Sequence, residues 1–251
     1  MQRFLADRHC INGEGVVLQG EAVHQIRDVL RLRKGARVVV FDNEGFEYTV
    51  VLDSVKKDMV TGTIQSTRKR SASKINITLY QALLKSDRFE FVLQKCTEIG
   101  VSVFVPIMCE RCVAGKPGAN KMQRWEKVIK EATEQSGRSM PPFLKPAVPF
   151  EDAYRSAKGL SLIASTRHES FSLREIIRPM SKQDNTANIN IFIGPEGGFT
   201  DDELESARRH GMSEVSLGSN TLRAETAGLV AATVVLYECG ELDRPLVYVG
   251  L

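Results

Sequence analysis

The sequence predicts an α/β domain with a mainly parallel sheet, preceded by a small β-barrel. Short strand patterns and a single helix pattern fill roughly the first 70 residues. Beyond them, strand patterns alternate with helix patterns, as in βαβ units. Near the end of the chain, two glycine-containing turns each follow a short apolar run rich in β-forming residues. Such turns are typical of ligand loops at the carboxyl edge of a parallel sheet.

The first region contains several short runs with the composition of barrel strands. These strands are expected at Val16–Leu18, Ala36–Asp42, Phe46–Asp53 and Met59–Gln65. A helix is expected over about Glu21–Leu32, and Asn43-Glu44-Gly45 predicts a hairpin turn. The polar, basic stretch Thr67–Ser73 is typical of a linker. We therefore expect two domains, residues 1–72 and residues 73–251.

The second region alternates regularly between the two element types. Strands are expected at Ile75–Ala82, Val103–Ile107, Leu160–Ala164, Ile189–Ile193 and Glu214–Leu217. Helices are expected at Asp87–Ile99, Asn120–Ser136, Phe150–Ser156, Asp201–His210 and Ala224–Cys239. Thr200 and Glu203 have the spacing of a capping box at the start of one helix. The polar stretch Pro179–Asn188 predicts a surface loop.

Composition excludes several classes of protein. The chain has 251 residues, of which 42% are hydrophobic, and no run approaches the roughly 18 apolar residues of a membrane span. The N-terminus lacks the apolar core of a signal peptide, so a cytoplasmic protein is expected. Five cysteines, an odd number, argue against a disulfide scaffold. Cys109 and Cys112 form a lone C-x-x-C without a matching histidine pair. We therefore expect ordinary thiols and no metal.

The net charge of +3 is distributed unevenly along the chain. Residues 1–73 carry +3 and residues 74–145 carry +5, whereas residues 146–251 carry −5. The basic part would attract a polyanion, and the acidic part contains both glycine turns. This asymmetry predicts RNA binding by the first part and a small ligand in the second.

The two glycine turns, Ile193–Gly198 and Ser216–Ser219, do not match the phosphate-binding templates. Glycine permits positive φ angles and close approach of the backbone to a ligand. However, Gly198 is not followed by the Lys and Ser or Thr of a P-loop, and the dinucleotide pattern is absent. Glu196 would repel a phosphate. A neutral or cationic cofactor is therefore expected.

Two separated motifs carry a resemblance to a known family. They are Gly194-Pro195-Glu196-Gly197-Gly198-Phe199 and, after a helix, Leu217-Gly218 with Leu222-Arg223-Ala224-Glu225-Thr226-Ala227. Together they resemble the S-adenosylmethionine site of the RsmE family, SPOUT-superfamily methyltransferases that modify N3 of a uridine in 16S ribosomal RNA of the small subunit. Similar stretches, such as Gln94–Val101 and Glu131–Arg138, extend the resemblance over nearly the whole chain.

Two departures from the family pattern stand out. Asn220-Thr221 replaces the commoner Arg-Ile in the second motif, and Cys112 stands where serine is common. The first departure removes a cation near the cofactor or the RNA.

The resemblance implies a SPOUT-type α/β domain with a deep trefoil knot, preceded by a PUA-like RNA-binding barrel. It also implies a homodimer, to which the apolar helix Leu222–Leu236 would contribute, and small-subunit rRNA as partner, free or in the assembled subunit. The implied cofactor contacts are Ile193, Gly194, Pro195, Glu196, Gly197, Gly198, Leu217, Gly218, Asn220, Leu222, Arg223 and Ala227.

Methylation at N3 of uracil requires loss of the imide proton, which leaves negative charge on the two ring carbonyl oxygens. A nearby cation would stabilise that charge. Arg138 and Arg223 are the candidates, and the alternative is that both pair with Glu131, Glu134 or Glu225. Helical spacing of three and four residues is expected to place four side chains on neighbouring faces of one helix: Glu131, Glu134, Gln135 and Arg138. Their spacing also fits a surface ion-pair ladder, but Gln135 suits a base edge, which favours a catalytic role. The general base is not assigned.

Basic side chains that would meet RNA phosphates are Arg3, Arg31, Lys85, Arg88, Lys95, Arg111 and Arg124. The cluster Arg68-Lys69-Arg70 fits RNA contact and a solvated linker equally well. Trp125 is expected to pack in the core rather than stack on a base. Two other functions remain open: a SPOUT methyltransferase with another RNA target, and a non-catalytic RNA-binding ribosome-assembly factor.

Overall fold

The computed structural model describes residues 1–42, 44–69, 73–85, 87–166, 171–179 and 186–243. Within them the chain forms two compact units. The first contains residues 1–69 and Thr133–Pro141. The second contains Ser73–Ala132 and the described residues from Pro142 onward.

The first unit is built on a six-stranded sheet. Its strands are β1 (Gln2–Leu5), β2 (Ile11–Asn12), β3 (Gly15–Leu18), β4 (Arg37–Phe41), β5 (Phe46–Val55) and β6 (Val60–Lys69). They are ordered β1-β4-β5-β6-β3-β2, with β1 and β4 parallel and the other pairs antiparallel. Alternate side chains such as Val38, Val40, Val50 and Leu52 are buried with Phe4 in one core, as period-two patterning requires.

Two boundaries in the first unit differ from the prediction. Helix α1 covers only Glu21–His24 and continues as a π-helical turn, Gln25–Val29, so the predicted end at Leu32 was wrong. Arg31 has a φ of +53°, which is incompatible with a continued helix. The predicted linker also begins too early, because Thr67–Lys69 pairs with the start of β5. Residues 70–72 lie outside the described residues.

The buried carboxylate of Asp42 organises the connection between β4 and β5. Its Oδ1 accepts hydrogen bonds from the backbone N–H groups of Glu44 at 3.0 Å and Phe46 at 2.9 Å. Its Oδ2 accepts from the Tyr48 hydroxyl at 2.9 Å and from Arg8 Nη1 at 2.8 Å. A side chain that bonds the backbone two residues ahead fixes a turn. Asn43, part of the predicted turn, lies outside the described residues.

The second unit contains one parallel sheet, as predicted. Its strands are β7 (Ile75–Ala82), β8 (Val103–Met108), β9 (Phe143–Leu144), β10 (Val148–Pro149), β11 (Leu160–Ala164), β12 (Phe171–Ser172), β13 (Ala187–Ile193) and β14 (Ser213–Ser216). The order is β10-β8-β7-β13-β11-β14-β12, with β9 beside β8, and every pair is parallel.

Helices cover both faces of this sheet. They are α2 (Asp87–Ile99), α3 (Ala119–Ser136), α4 (Phe150–Ser156), α5 (Leu173–Ile177), α6 (Asp201–Arg209) and α7 (Ala224–Glu238). Residues of α2, α3, α5 and α7 share one core cluster, and residues of α4 and α6 share the other. The predicted mixed α/β class, with a separate β-sheet unit earlier in the chain, is therefore confirmed. The predicted capping box of α6 is present, with Thr200 and Glu203 bonding reciprocally.

Strand β7 shows why the sheet is apolar on both faces. Its Ile77 and Leu79 belong to one core cluster, while Tyr80 belongs to the other and stacks on Phe192 of β13 at 4.1 Å. Strands covered by helices on both sides need such continuous apolar runs. Trp125 of α3 is fully buried and stacks on Phe89 at 4.2 Å, which confirms the prediction of core packing.

Helix α3 ends earlier than the predicted catalytic cluster requires. Gly137 has a φ of +73°, and the N–H of Arg138 donates to the carbonyl of Thr133 at 3.1 Å. This is the hydrogen bond of a glycine-terminated helix end. The prediction that Arg138 lies on the same helix as Glu134 and Gln135 was therefore wrong. Thr133–Pro141 also belongs to the first compact unit, not to the second.

The predicted loop Pro179–Asn188 falls largely outside the described residues, and its last two residues belong to β13. Among the helices that the structure describes, none combines the length and hydrophobicity needed to cross a bilayer.

Candidate active site

A cleft of about 770 Å³ lies where β11, β13 and β14 end in the second unit. These three strands are neighbours in the sheet, so the loops that follow them meet at one edge. Residues 164–166, 193–199 and 216–225 of these loops line the cleft. The carboxyl edge of a parallel sheet is the usual ligand position, and the volume lies within the roughly 300–1,000 Å³ of small-molecule sites.

The first glycine turn forms one wall. The N–H of Gly198 donates to the carbonyl of Pro195 at 2.9 Å, and Gly198 has a φ of +68°. A Cβ atom on Gly194 would lie 3.1 Å from a ring carbon of Phe199, closer than ordinary packing allows. Phe199 is buried, and its ring lies 5.0 Å from that of Phe150. Glycine at 194 therefore lets the turn fold back onto the core.

The second turn leads into α7. Gly218 has a φ of +115°, which a side chain would strain. The carbonyl of Arg223 accepts from the N–H groups of Thr226 at 2.9 Å and Ala227 at 2.8 Å, which starts the helix. The Arg223 side chain is exposed and lines the cleft. It makes no ion pair with any residue that the structure describes.

The loop after β8 braces the first turn. Arg111 Nη1 donates to the carbonyl oxygen of Gly197 at 2.9 Å, and its methylene groups lie 3.4 Å from the position of a Cβ on Gly197. The N–H of Glu110 donates to Glu203 Oε1 at 2.9 Å. Arg111, predicted to contact RNA, thus holds the backbone of the cleft.

Arg88 connects the two turns through their carboxylates. Its Nη1 lies 3.1 Å from Glu196 Oε1, and its Nε lies 3.8 Å from Glu225 Oε1. The Glu225 side chain is only 13% exposed. Its Oε2 is buried without a hydrogen-bond partner among the described residues. A buried, unpartnered carboxylate oxygen is costly, and this one belongs to a residue that lines the cleft. Arg88, too, was predicted to contact RNA.

All twelve residues predicted to contact the cofactor line this cleft. Three lining residues were not predicted: Ala164, the last residue of β11, and Ser165 and Thr166, which follow it. The small polar side chains of Ser165 and Thr166 at a strand end were a signal, but strand order was needed to connect them to the glycine turns. Glu225 lies within the second predicted cofactor motif, but individually it was named only as a possible partner of an arginine.

The catalytic candidates are divided between the units. Arg223 lies in the second, whereas Glu134, Gln135 and Arg138 lie in the first. Glu134 Oε1 accepts from the N–H of Leu5 at 3.1 Å, and Gln135 is exposed. Burial lowers the pKa of Arg138 to about 10, so its guanidinium stays charged at neutral pH. The described residues that line the cleft all come from the second unit.

The remaining residues that were predicted to contact RNA differ in whether they pair with a nearby carboxylate. Arg3 pairs with Glu47, Lys95 Nζ lies 2.8 Å from Glu98, and Arg124 makes a two-nitrogen pair with Glu90 at 2.8 Å. Arg31 and Lys85 are exposed. No group of three or more possible metal ligands occurs in the part of the chain that the structure describes.

Both parts of the chain match known protein families. The family model of an RNA methyltransferase domain matches residues 71–236, and that of an RNA methyltransferase PUA domain matches residues 18–65. Ribosomal RNA small subunit methyltransferase E of Synechocystis is 36% identical over 223 residues, covering 86% of this chain and 71% of that protein. The protein of the same name from Rickettsia conorii is 32% identical, covering 92% of this chain and 93% of that one.

Solved structures agree. Ribosomal RNA small subunit methyltransferase E of Neisseria gonorrhoeae, bound to S-adenosylmethionine, has a TM-score of 0.85 and 31% identity, covering 94% of this chain and 97% of that one. A Legionella pneumophila methyltransferase in complex with the same cofactor has a TM-score of 0.84 and 32% identity, covering 94% and 96%. The resemblance found in the sequence is thereby confirmed, and the chain belongs to the ribosomal RNA small subunit methyltransferase E family.

Proposed function

We propose that this protein transfers the methyl group of S-adenosylmethionine to N3 of a uridine in 16S rRNA of the small subunit. One observation carries the proposal. The two glycine turns and the loop after β11 enclose a single cleft, and at its wall is buried a carboxylate oxygen that has no hydrogen-bond partner among the residues that the structure describes. Support comes from relatives named ribosomal RNA small subunit methyltransferase E and from a neighbour solved with this cofactor.

The residues present fit the cofactor. S-adenosylmethionine carries a sulfonium and an ammonium group beside one carboxylate and an adenosine. Glu225, whose Oε2 has no partner in the described part of the chain, and Glu196 supply negative charge. The backbone of the two turns supplies hydrogen-bonding groups without bulky side chains. Three arginines and three acidic residues line the cleft. Arg88 and Arg111 are engaged locally, which leaves Arg223 as the cation open to a substrate among the described residues that line the cleft.

Within this site we assign different roles to the backbone of the second turn and to the Arg223 side chain. When bound, the cofactor supplies a methyl group attached to positively charged sulfur. The backbone of residues 217–222 would hold it in position for an in-line displacement. The Arg223 guanidinium would stabilise the negative charge that develops on the uracil carbonyl oxygens as N3 loses its proton. We retain Arg138, supported by Gln135 and Glu134, as a second candidate for contact with the base.

On the RNA side, we propose residues 1–72 as a PUA-like RNA-binding domain and residues 73–251 as the knotted SPOUT methyltransferase domain. The net charge of +8 over residues 1–145 supports binding to a polyanion. Exposed Arg31 and Lys85 are the first phosphate contacts to test. The partner is small-subunit rRNA, free or in the assembled subunit, in the cytoplasm. A homodimer is proposed through α7, whose Tyr237 is 63% exposed.

The experiment is isothermal titration of folded protein with S-adenosylmethionine, followed by methyl transfer to small-subunit rRNA. We expect a Kd between about 1 μM and 1 mM, the usual range for enzyme ligands, and transfer that requires the cofactor. No heat of binding at millimolar cofactor would defeat the proposal. Binding without transfer to any form of the RNA would leave only a cofactor-binding protein.

A further inference from the structure

Two thiols stand at the ends of one tight turn directly after β8. The N–H of Cys112 donates to the carbonyl of Cys109 at 3.0 Å. A turn closed by this bond holds its first and last Cα atoms within about 7 Å, and disulfides span roughly 4.4–6.8 Å between Cα atoms. Both thiols are free. The turn therefore brings two reduced cysteines within reach of a disulfide.

The two sulfurs are chemically different. The Cys109 thiol donates a hydrogen bond to Cys112 Sγ, which lowers the pKa of Cys112 to about 7. The N–H of Cys109, 3.3 Å from the same sulfur, acts in the same direction, while burial and the charge of Glu203 oppose it. The same thiol hydrogen bond, with burial, raises the pKa of Cys109. Cys112 is half-buried, whereas Cys109 is buried. Cys112 thus has the features of an attacking thiolate and Cys109 those of a resolving thiol.

The residues between the two cysteines hold the cleft. Arg111 donates to the carbonyl oxygens of Gly197 at 2.9 Å and Phe199 at 3.4 Å, and the Glu110 N–H donates to Glu203 at 2.9 Å. A covalent bond between the ends of this turn would constrain the two residues that brace the first glycine turn. These contacts connect the thiol state to the cleft wall.

We propose that Cys109 and Cys112 form an oxidation site for a hydroperoxide, and that their disulfide loosens the first glycine turn and weakens cofactor binding. Only the effect on cofactor affinity rests on the proposed function. The Cys112 thiolate attacks a peroxide oxygen, the O–O bond breaks, and the alcohol or water leaves after taking up a proton. Cys109 then attacks the sulfenic sulfur of Cys112, the S–O bond breaks, and water leaves with the Cys109 proton. Reversible pairs of this kind are the usual cysteine disulfides of reducing compartments.

The test uses the full chain, reduced and then treated with a few molar equivalents of hydrogen peroxide. Trypsin cleaves after Arg111, so a disulfide keeps two otherwise separate peptides linked in the mass spectrum. Fragment ions of the linked species assign the bond to Cys109 and not to Cys96, which lies in the same peptide. Cofactor affinity is measured by calorimetry before oxidation, after it, and after re-reduction. Amide hydrogen exchange over residues 197–203 is measured in the same three states without cofactor. Cys112→Ser is the test variant, and Cys239→Ser, at another half-buried thiol, is its matched control.

After oxidation we expect the linked peptides in the wild type and in Cys239→Ser. Both proteins should then bind the cofactor at least about fivefold more weakly and exchange amide hydrogens faster over residues 197–203. Re-reduction should restore both properties. Oxidised Cys112→Ser should show neither the linked peptides nor a loss of cofactor affinity. Absence of the linkage, or a linkage that leaves both affinity and exchange unchanged, overturns the inference. If reduced wild type does not bind the cofactor, the proposed function fails, while linkage and exchange still decide whether the thiol pair acts on the turn.

Discussion

The Arg88 guanidinium lies 3.8 Å from the largely buried carboxylate of Glu225, and this pair joins α2 to the start of α7 at the cleft. The Arg88 contact is to Glu225 Oε1, and Oε2 has no hydrogen-bond partner within the part of the chain that the structure describes, so it can accept one. A carboxylate held in this way is oriented by one cation and open to a second. The ammonium group of an amino-acid ligand has the required charge and donors.

Glu225→Gln should weaken binding of S-adenosylmethionine by at least about tenfold, because a hydrogen bond to a charged group contributes roughly 1.5–3 kcal/mol. Binding of 5′-methylthioadenosine, which lacks the amino-acid tail, should change little. Calorimetry with both ligands measures the difference. Glu205→Gln, at an exposed carboxylate of α6, is the control. An equal loss for both ligands would show that Glu225 supports the fold of the turn and does not read the amino group.

Arg223→Gln should reduce kcat for methyl transfer by about 10²-fold or more, as expected when one stabiliser of developing negative charge is removed. The cofactor Kd should stay within about threefold, because we assign cofactor binding to the backbone there. Single-turnover kinetics with saturating RNA and calorimetry separate the two effects. Arg209→Gln removes a comparably exposed arginine of α6 and should leave kcat unchanged. An unaltered kcat in Arg223→Gln would remove this residue from the chemistry.

Gly194→Ala places a methyl group 3.1 Å from the Phe199 ring, which must then shift. Overpacking of this kind typically costs about 1–3 kcal/mol of stability, and the displaced turn should lose cofactor affinity. Gly118→Ala is the matched control, because nothing lies within 4 Å of its added Cβ. Chemical denaturation and calorimetry compare the two variants. Equal stability and equal cofactor affinity in the two variants would mean that the packing of Phe199 does not shape the cleft.

Asp42→Asn should destabilise the first unit by roughly 2 kcal/mol or more at pH 7. Burial opposes ionisation of Asp42, but hydrogen bonds from Phe46, Tyr48, Glu44 and Arg8 outweigh it and lower its pKa. The stabilisation is therefore complete above the unfolded-state pKa of about 4 and is lost as the pH falls through the lower folded-state value.

The measurement for Asp42 is amide exchange across β4 and β5 at pH 7, with denaturation of both proteins at pH 7 and pH 3. The difference in the free energy of unfolding between wild type and variant should be smaller at pH 3 than at pH 7. A gap of the same size at both pH values would contradict a role for the ionised carboxylate.

The sequence predicted much of the cleft because glycines and capping residues act locally. The turn at Gly194–Gly198, the capping box at Thr200 and the start of α7 each depend on neighbours in the chain, and all appear in the structure. Strands β7 and β11 were predicted with the observed bounds, because their apolar runs end at clear turn signals.

The relationships that the sequence missed are long-range. The roles of Arg88 and Arg111 depend on partners 86 to 137 positions away, so their charge alone suggested RNA contact. Strand order, which brings β11 between β13 and β14, is likewise not written in local patterns. The end of α3 at Ser136 was predicted, but Arg138 was wrongly expected on the same helix, because the effect of Gly137 on the backbone outweighs the helical spacing of the charged side chains.

The most direct measurement is a methyl-transfer assay. Small subunits, and their free rRNA, are isolated from cells lacking this protein and are incubated with purified protein and S-adenosylmethionine that carries a deuterated methyl group. The nucleosides are then separated by mass spectrometry. We expect deuterated 3-methyluridine at one position of the small-subunit rRNA, and none with Arg223→Gln over the same time. Label in another nucleoside, or no label in either form of the RNA, would contradict it.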